Sequence, residues 1–174
     1  DNNGVDVGLF YSINLLDDVL KSLNNLGYPE NKVVLKPRNG SGSRGVLIVD
    51  SDLKVLNEII PDRNCAEGNI ELIVEYAKNN KIDFSSYMAM EYYSGDVYDI
   101  DCVARDGNAI NVVPRLRKYD NPLSPYNEGC IISQDKNIIS YVSDVISALQ
   151  CHGACDFDIA IDSLGRSRVI DAST

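Results

Sequence analysis

An α+β fold is predicted from three features of the order of segments. Helix-period and strand-period stretches are interspersed, the strand–helix–strand rhythm of a doubly wound sheet is missing, and Gly/Asp/Asn turns join strands in pairs. Leu16, Val19, Leu20 and Leu23 share one helical face over residues 14–23, with Asp17 and Asp18 in the first turn and Gly27 at the stop. Residues 32–36 and 45–50 are short apolar runs around the loop 38–44 (RNGSGSR), which predicts a hairpin with a Gly/Ser tip.

Segments 52–60 and 67–79 read as helices. Segments 87–93, 97–105 and 109–116 read as consecutive strands of an antiparallel meander, turning at Ser94-Gly95-Asp96 and Asp106-Gly107-Asn108. After a Pro/Asn/Gly-rich stretch over 120–129, residues 135–150 carry a continuous apolar stripe of Ile138, Ile139, Val142, Val145, Ile146 and Leu149, a helix. A last hairpin runs 154–161, turns at 162–165 and returns over 168–172.

Of 174 residues, 44% are apolar, enough for one core or two small lobes. Lys plus Arg is 16 against 26 for Asp plus Glu, and the net charge of -10 argues against nucleic acid or an anionic membrane as a partner. The five scattered cysteines suit reduced thiols in a cytoplasmic protein, and no apolar run approaches the length of a membrane span. The chain begins at Asp1, as expected of a processed product or an excised piece.

Four constellations could carry chemistry. Lys36 ends a strand just before Ser41, Gly42, Ser43, Arg44 and Gly45. Glycines let backbone N–H groups approach an anion, Ser hydroxyls add donors, and a fixed ammonium meets phosphate oxygens. The alternative is an ordinary solvated hairpin. Neither a Walker loop nor a Rossmann loop fits, because a strand rather than a helix follows.

Asp158 and Asp171 would face each other across the last hairpin, where two carboxylates can share a hard divalent cation. Glu91, Tyr92 and Tyr93 end a strand whose backbone and aromatic walls could hold a purine, or could be plain core. Arg115 and Arg117 share one strand face; they suggest an anion site or salt bridges to the surplus acids.

The collinear order of these features resembles the ATP-grasp superfamily over nearly the whole chain. The likeness is to its carbamoyl-phosphate-synthase-large-subunit-like branch, which has a segment similar to Val113-Pro114-Arg115-Leu116-Arg117. The resemblance implies two small α+β lobes with nucleotide between antiparallel sheets: a lid lobe, 1–86, and a core lobe, 87–174, after an N-terminal domain supplied in cis. It implies that Lys36 and the loop 41–45 take the triphosphate of ATP, and that Glu91, Tyr92 and Tyr93 hold the adenine, largely through main chain.

It further implies magnesium, with manganese as an alternative, on Asp158 and Asp171, and Arg115, with Arg117 beside it, near the transferred phosphoryl group. The implied reaction is attack of a small-molecule carboxylate on ATP, giving an acylphosphate that an amine or ammonia opens. This sequence departs from the family in having Val97 where a ribose-binding Glu is usual, so Asp96 or Asp99 would substitute, and Ser173 where a metal-binding Asn is usual. The family's second phosphate-binding basic residue would fall ahead of Asp1. A degenerate, non-catalytic nucleotide-binding regulatory module is the alternative expectation.

Overall fold

A computed structural model describes residues 4–40, 42–118 and 129–174. It divides into two compact units. One comprises Gly8–Tyr92; the other joins residues 4–7 to 93–118 and 129–174. The division falls after Tyr92 rather than at the expected 86/87 boundary, because the strand 87–91 belongs to the first unit's sheet.

That sheet has six strands in the order β1-β6-β2-β3-β5-β4: β1 Phe10–Ser12, β2 Val33–Pro37, β3 Leu47–Val49, β4 Asn57–Ile60, β5 Cys65–Gly68 and β6 Tyr87–Glu91. Helices α1 Leu16–Asn25 and α2 Ile70–Asn79 share one core with it. Val19, Leu23, Ile73, Tyr76 and Ala77 pack with Val33, Leu35, Leu47, Val49 and Ala89. Helix α1 starts where the Asp18 carboxylate accepts the N–H groups of Asn14 and Leu15, satisfying donors that the helix itself cannot pair.

The expected Gly/Ser-tipped hairpin is present: β2 and β3 pair antiparallel, Val33 with Val49 and Leu35 with Leu47. Two expectations fail here. Residues 52–60 do not form a helix; they turn and then enter β4, which pairs with β5. The Leu/Ile spacing fits a helix, but Pro61 disfavours helical backbone at Ile60, the β-branched pair Ile59-Ile60 suits a strand, and strand pairing buries Ile60. In 67–79, the helix begins only at Ile70, where the Asn69 side chain caps the N–H of Leu72.

The second sheet has five strands in the order β11-β10-β7-β8-β9: β7 Val97–Arg105, β8 Asn108–Arg117, β9 Cys130–Ile132, β10 Gly153–Ile161 and β11 Ser167–Ser173. Helix α3, Lys136–Leu149, capped by the Asp135 side chain, lays Ile138, Val142, Val145 and Ile146 on Ile100, Cys102, Phe157 and Ile159. The expected three-strand meander is reduced to the hairpin β7–β8, since β6 pairs with β1 and β2 instead.

Ser94-Gly95-Asp96 is therefore no hairpin turn. It is fastened to the end of β10 by Gly95 N–H to Ile161 O, 3.1 Å, and Ile161 N–H to Asp96 O, 2.9 Å. A Cβ at Gly95 would stand 2.4 Å from the Ile161 carbonyl oxygen, so this close approach requires glycine. No helix among the described residues is long and apolar enough to cross a membrane.

Candidate functional site

In the Gly8–Tyr92 unit, strand alternation sets Lys36 on the sheet face opposite the helices. Val33 and Leu35 point into the core, so Val34 and Lys36 point away, with their cross-strand partners Met90 and Met88 beside them. The result is an apolar strip ending in a half-buried lysine.

Ser41 lies outside the described residues. The rest of the loop is fastened from below. The Arg63 guanidinium donates to Gly42 O, the Cys65 thiol to Ser43 O, Gly45 N–H to Arg63 O at 2.8 Å, and the Tyr87 hydroxyl to Gly45 O at 2.9 Å. Arg44 is exposed. Gly45 sits at φ 73°, and a Cβ there would come 2.5 Å from the Tyr87 hydroxyl, so only glycine keeps that bond unstrained. No local pattern marks Arg63 and Tyr87 as anchors of the loop, because both act on backbone carbonyls.

At the end of β6 the Glu91 carboxylate is used structurally, accepting the N–H of Leu9 at 2.8 Å. Sequence reading also missed the cation beside the half-buried Tyr92. Lys32 Nζ lies 5.5 Å from the centre of the Tyr92 ring and pairs with Asp50 at 2.7 Å and Glu67 at 3.0 Å. Burial works to lower the Lys32 pKa, but these two carboxylates outweigh it and hold the ammonium above the ordinary lysine value.

In the other unit, the sheet face away from α3 carries the charged residues. Asp99 of β7 pairs with Asp158 of β10, and Asp158 pairs with Asp171 of β11; one row over stand Asp101, Asp156 and Ser173. Direct cross-strand partners project to the same face, so Asp158 and Asp171 do stand side by side, just before a register shift between Asp158 and Ile159.

Both arginines are engaged by acids on this face. Arg115 Nη2 donates to Asp101 at 3.0 Å; Arg117 donates from Nε to Asp99 at 2.5 Å and from Nη2 to Asp158 at 2.6 Å. Asp96 is exposed at the head of β7. Among the described residues, no three His, Cys, Asp or Glu side chains converge in a metal-binding arrangement. By their chemistry the oxygen donors of Asp158, Asp171 and Ser173 suit the protein's share of a hard-cation shell that phosphate and water complete, and the Arg117 guanidinium already occupies Asp158.

Burial pushes the Asp158 carboxyl up to about 6; Arg117 opposes that rise, and a hydrogen bond with Asp99 adds to it. The folded state therefore holds this proton more tightly than the unfolded chain. Its contribution to stability is complete below about pH 4 and is lost as pH rises through about 6. Asp158→Asn removes the dependence, so the wild type should lose stability relative to that variant between pH 4 and 6 in denaturant titrations. A constant difference would show that the proton is not held.

The sequence matches no family model and no curated protein. Among solved structures it is similar to L-amino acid ligase from Bacillus licheniformis (22% identity, TM-score 0.62), which it covers over 39% of that chain and 99% of its own. It is also similar to a biotin carboxylase complex from Campylobacter jejuni (17%, TM-score 0.64; 37% of that chain, 99% of this one). An ATP-grasp ligase, PsnB, solved with a precursor variant, Mg and ADP, matches at 13% and TM-score 0.56, over 45% of its length and 99% of this chain. The chain has the ATP-grasp fold. It spans less than half the length of each of these structures, from 37% to 45%.

Proposed function

We propose that the chain is the ATP-binding part of an ATP-dependent carboxylate–amine or carboxylate–ammonia ligase of the carbamoyl-phosphate-synthase-like kind. The observation that carries the reading is the side-by-side pair Asp158–Asp171 on the sheet face away from α3, in a chain with the ATP-grasp fold. In this reading the Gly8–Tyr92 unit is the lid lobe and the unit from Tyr93 onward the core lobe, with a further N-terminal domain in cis completing the enzyme.

Lys36 and the loop around Gly42, Ser43, Arg44 and Gly45 meet the triphosphate. The strand end Glu91-Tyr92-Tyr93 takes the adenine through main chain, and Asp96 or Asp99 takes the ribose. Asp158 and Asp171, with Ser173, would hold magnesium or manganese, which supplies charge neutralisation for the phosphates. Arg115 and Arg117 would orient the carboxylate and the transferred phosphoryl group, so that catalysis rests on positioning and electrostatics through an acylphosphate. The partners are then a small-molecule acid and an amine or ammonia, and the compartment the cytoplasm.

Lys36→Ala is expected to weaken ATP binding about 10- to 100-fold while leaving the melting temperature nearly unchanged, since a charged donor to phosphate contributes about 1.5–3 kcal/mol. Titration calorimetry of both proteins measures it, and equal affinities would remove the triphosphate assignment.

A second reading, a non-catalytic nucleotide-binding regulatory module, is favoured by the weak ligand Ser173 and by the guanidinium already on Asp158. A screen of the whole protein for ADP release with candidate acids and amines separates the two: nucleotide binding without release supports the module.

A further inference from the structure

Arg117 is only 15% exposed and is gripped by two carboxylates, Asp99 at 16% and Asp158 at 23% exposure. The grip is uneven. Asp99 Oδ1 lies against both Nε and Nη2, whereas Asp158 Oδ1 meets Nη2, the end of the fork. Asp158 is also the acid placed next to Asp171. Asp158 thus has the guanidinium on one side and, on the other, Asp171, a carboxylate with which it could share a divalent ion. A guanidinium and a doubly charged cation bound to one carboxylate would repel each other at close range, where screening by water is weak.

We infer that Arg117 is an exchangeable counter-cation. It holds Asp158 while no metal is bound, a divalent cation displaces it from Asp158, and Asp99 is the positioning residue that retains the guanidinium in the site through the exchange. The metal's presence rests on the functional reading above; the exchange itself is a property of four side chains in one unit.

The test uses manganese(II) alone, without nucleotide, titrated into the full chain and followed by loss of the free-ion electron paramagnetic resonance signal. Arg117→Gln should bind manganese about tenfold more tightly than wild type. Arg115→Gln, which removes the same charge from the same sheet face, should gain less than about threefold. Equal gains would mean a general field effect and would overturn the exchange, as would weaker binding by Arg117→Gln.

Asp99→Asn should weaken manganese binding about fivefold, because Arg117 then leans wholly on Asp158, and that loss should vanish when Arg117→Gln is also present. A loss of the same size in both backgrounds would overturn the retaining role of Asp99. Should a variant fail to fold, the wild type decides: with 15N-labelled arginine, the Arg117 Nε–H resonance should move as magnesium is added while that of Arg115 stays. A stationary Arg117 signal at metal saturation sinks the proposal. Because no arm contains nucleotide, these outcomes are independent of the Lys36→Ala result, which tests the ligase reading.

Discussion

Replacing Asp158 and Asp171 together by Asn is expected to reduce ADP release by the whole protein about 1,000-fold or more. Metal-assisted charge neutralisation contributes several kcal/mol to phosphoryl transfer, and each 1.36 kcal/mol is tenfold in rate. The fold should survive. Asp158 is a partly desolvated carboxyl whose pKa burial has already pushed to about 6, so its charge does not stabilise the folded state at neutral pH. Asp171 is exposed. Arg117 keeps its bonds to Asp99 in the variant. Circular dichroism should be unchanged and the melting temperature within a few degrees of wild type. ADP release within tenfold of wild type from a folded variant would take the metal off these residues.

How much of this was legible in the sequence depended on whether local pattern or distant pairing decides the structure. The helix Lys136–Leu149 announced itself through an unbroken apolar stripe with Asp135 as its cap, and α3 is seen where that pattern put it. The final hairpin was equally plain from its turn chemistry at 162–165, but the pairing of Asp158 with Asp171 also needs the register shift between Asp158 and Ile159, which no local pattern announces. Residues 52–60 misled because their spacing satisfies a helix, while the partner that makes β4 a strand comes only with the turn at Pro61–Arg63.

The strand Tyr87–Glu91 was recognised as a strand, but its sheet could not be read locally. Its partners Phe10–Ser12 and Val33–Pro37 lie more than a helix away, and the turn-like Ser94-Gly95-Asp96 suggested the wrong neighbour. The arginines show the same division. Alternation placed Arg115 and Arg117 on one face, and their partners Asp99, Asp101 and Asp158 required knowing that β10, not β8 alone, lies beside β7.

The largest effect on stability is expected at Arg168, a residue that carries no proposed chemistry. Its side chain is 4% exposed, its Nε donates to Asp162 at 3.1 Å, and its Nη1 donates to the Asp6 carbonyl at 3.1 Å beside an ion pair with the Asp6 carboxylate. It thereby ties the turn between β10 and β11 to the segment at residues 4–7. Asp162, 8% exposed, is more than an ordinary turn acid: it also accepts the N–H groups of Leu164 and Arg166 and the Arg166 guanidinium.

Removing one partner of a buried pair costs about 3–5 kcal/mol, because the other charge stays buried. Asp162 would keep Arg166 and two backbone donors, which places Arg168→Met near the lower end, about 3 kcal/mol. At roughly 2–4 °C per kcal/mol for a chain of this size, the melting temperature should fall by about 6–12 °C.

Arg168→Lys keeps the charge but not the fork that reaches Asp162 and Asp6 together, so it should recover only part of the loss. The pH dependence identifies the partner. Burial opposes ionisation of Asp162, but its hydrogen bonds outweigh that and hold its carboxyl at about 2, so its stabilisation is present above about pH 4 and disappears as pH falls through 2. The gap between wild type and Arg168→Met should therefore narrow in acid. A gap that stays constant from neutral pH down to 2 would mean that Arg168 stabilises the unit by packing its aliphatic stem rather than by holding Asp162.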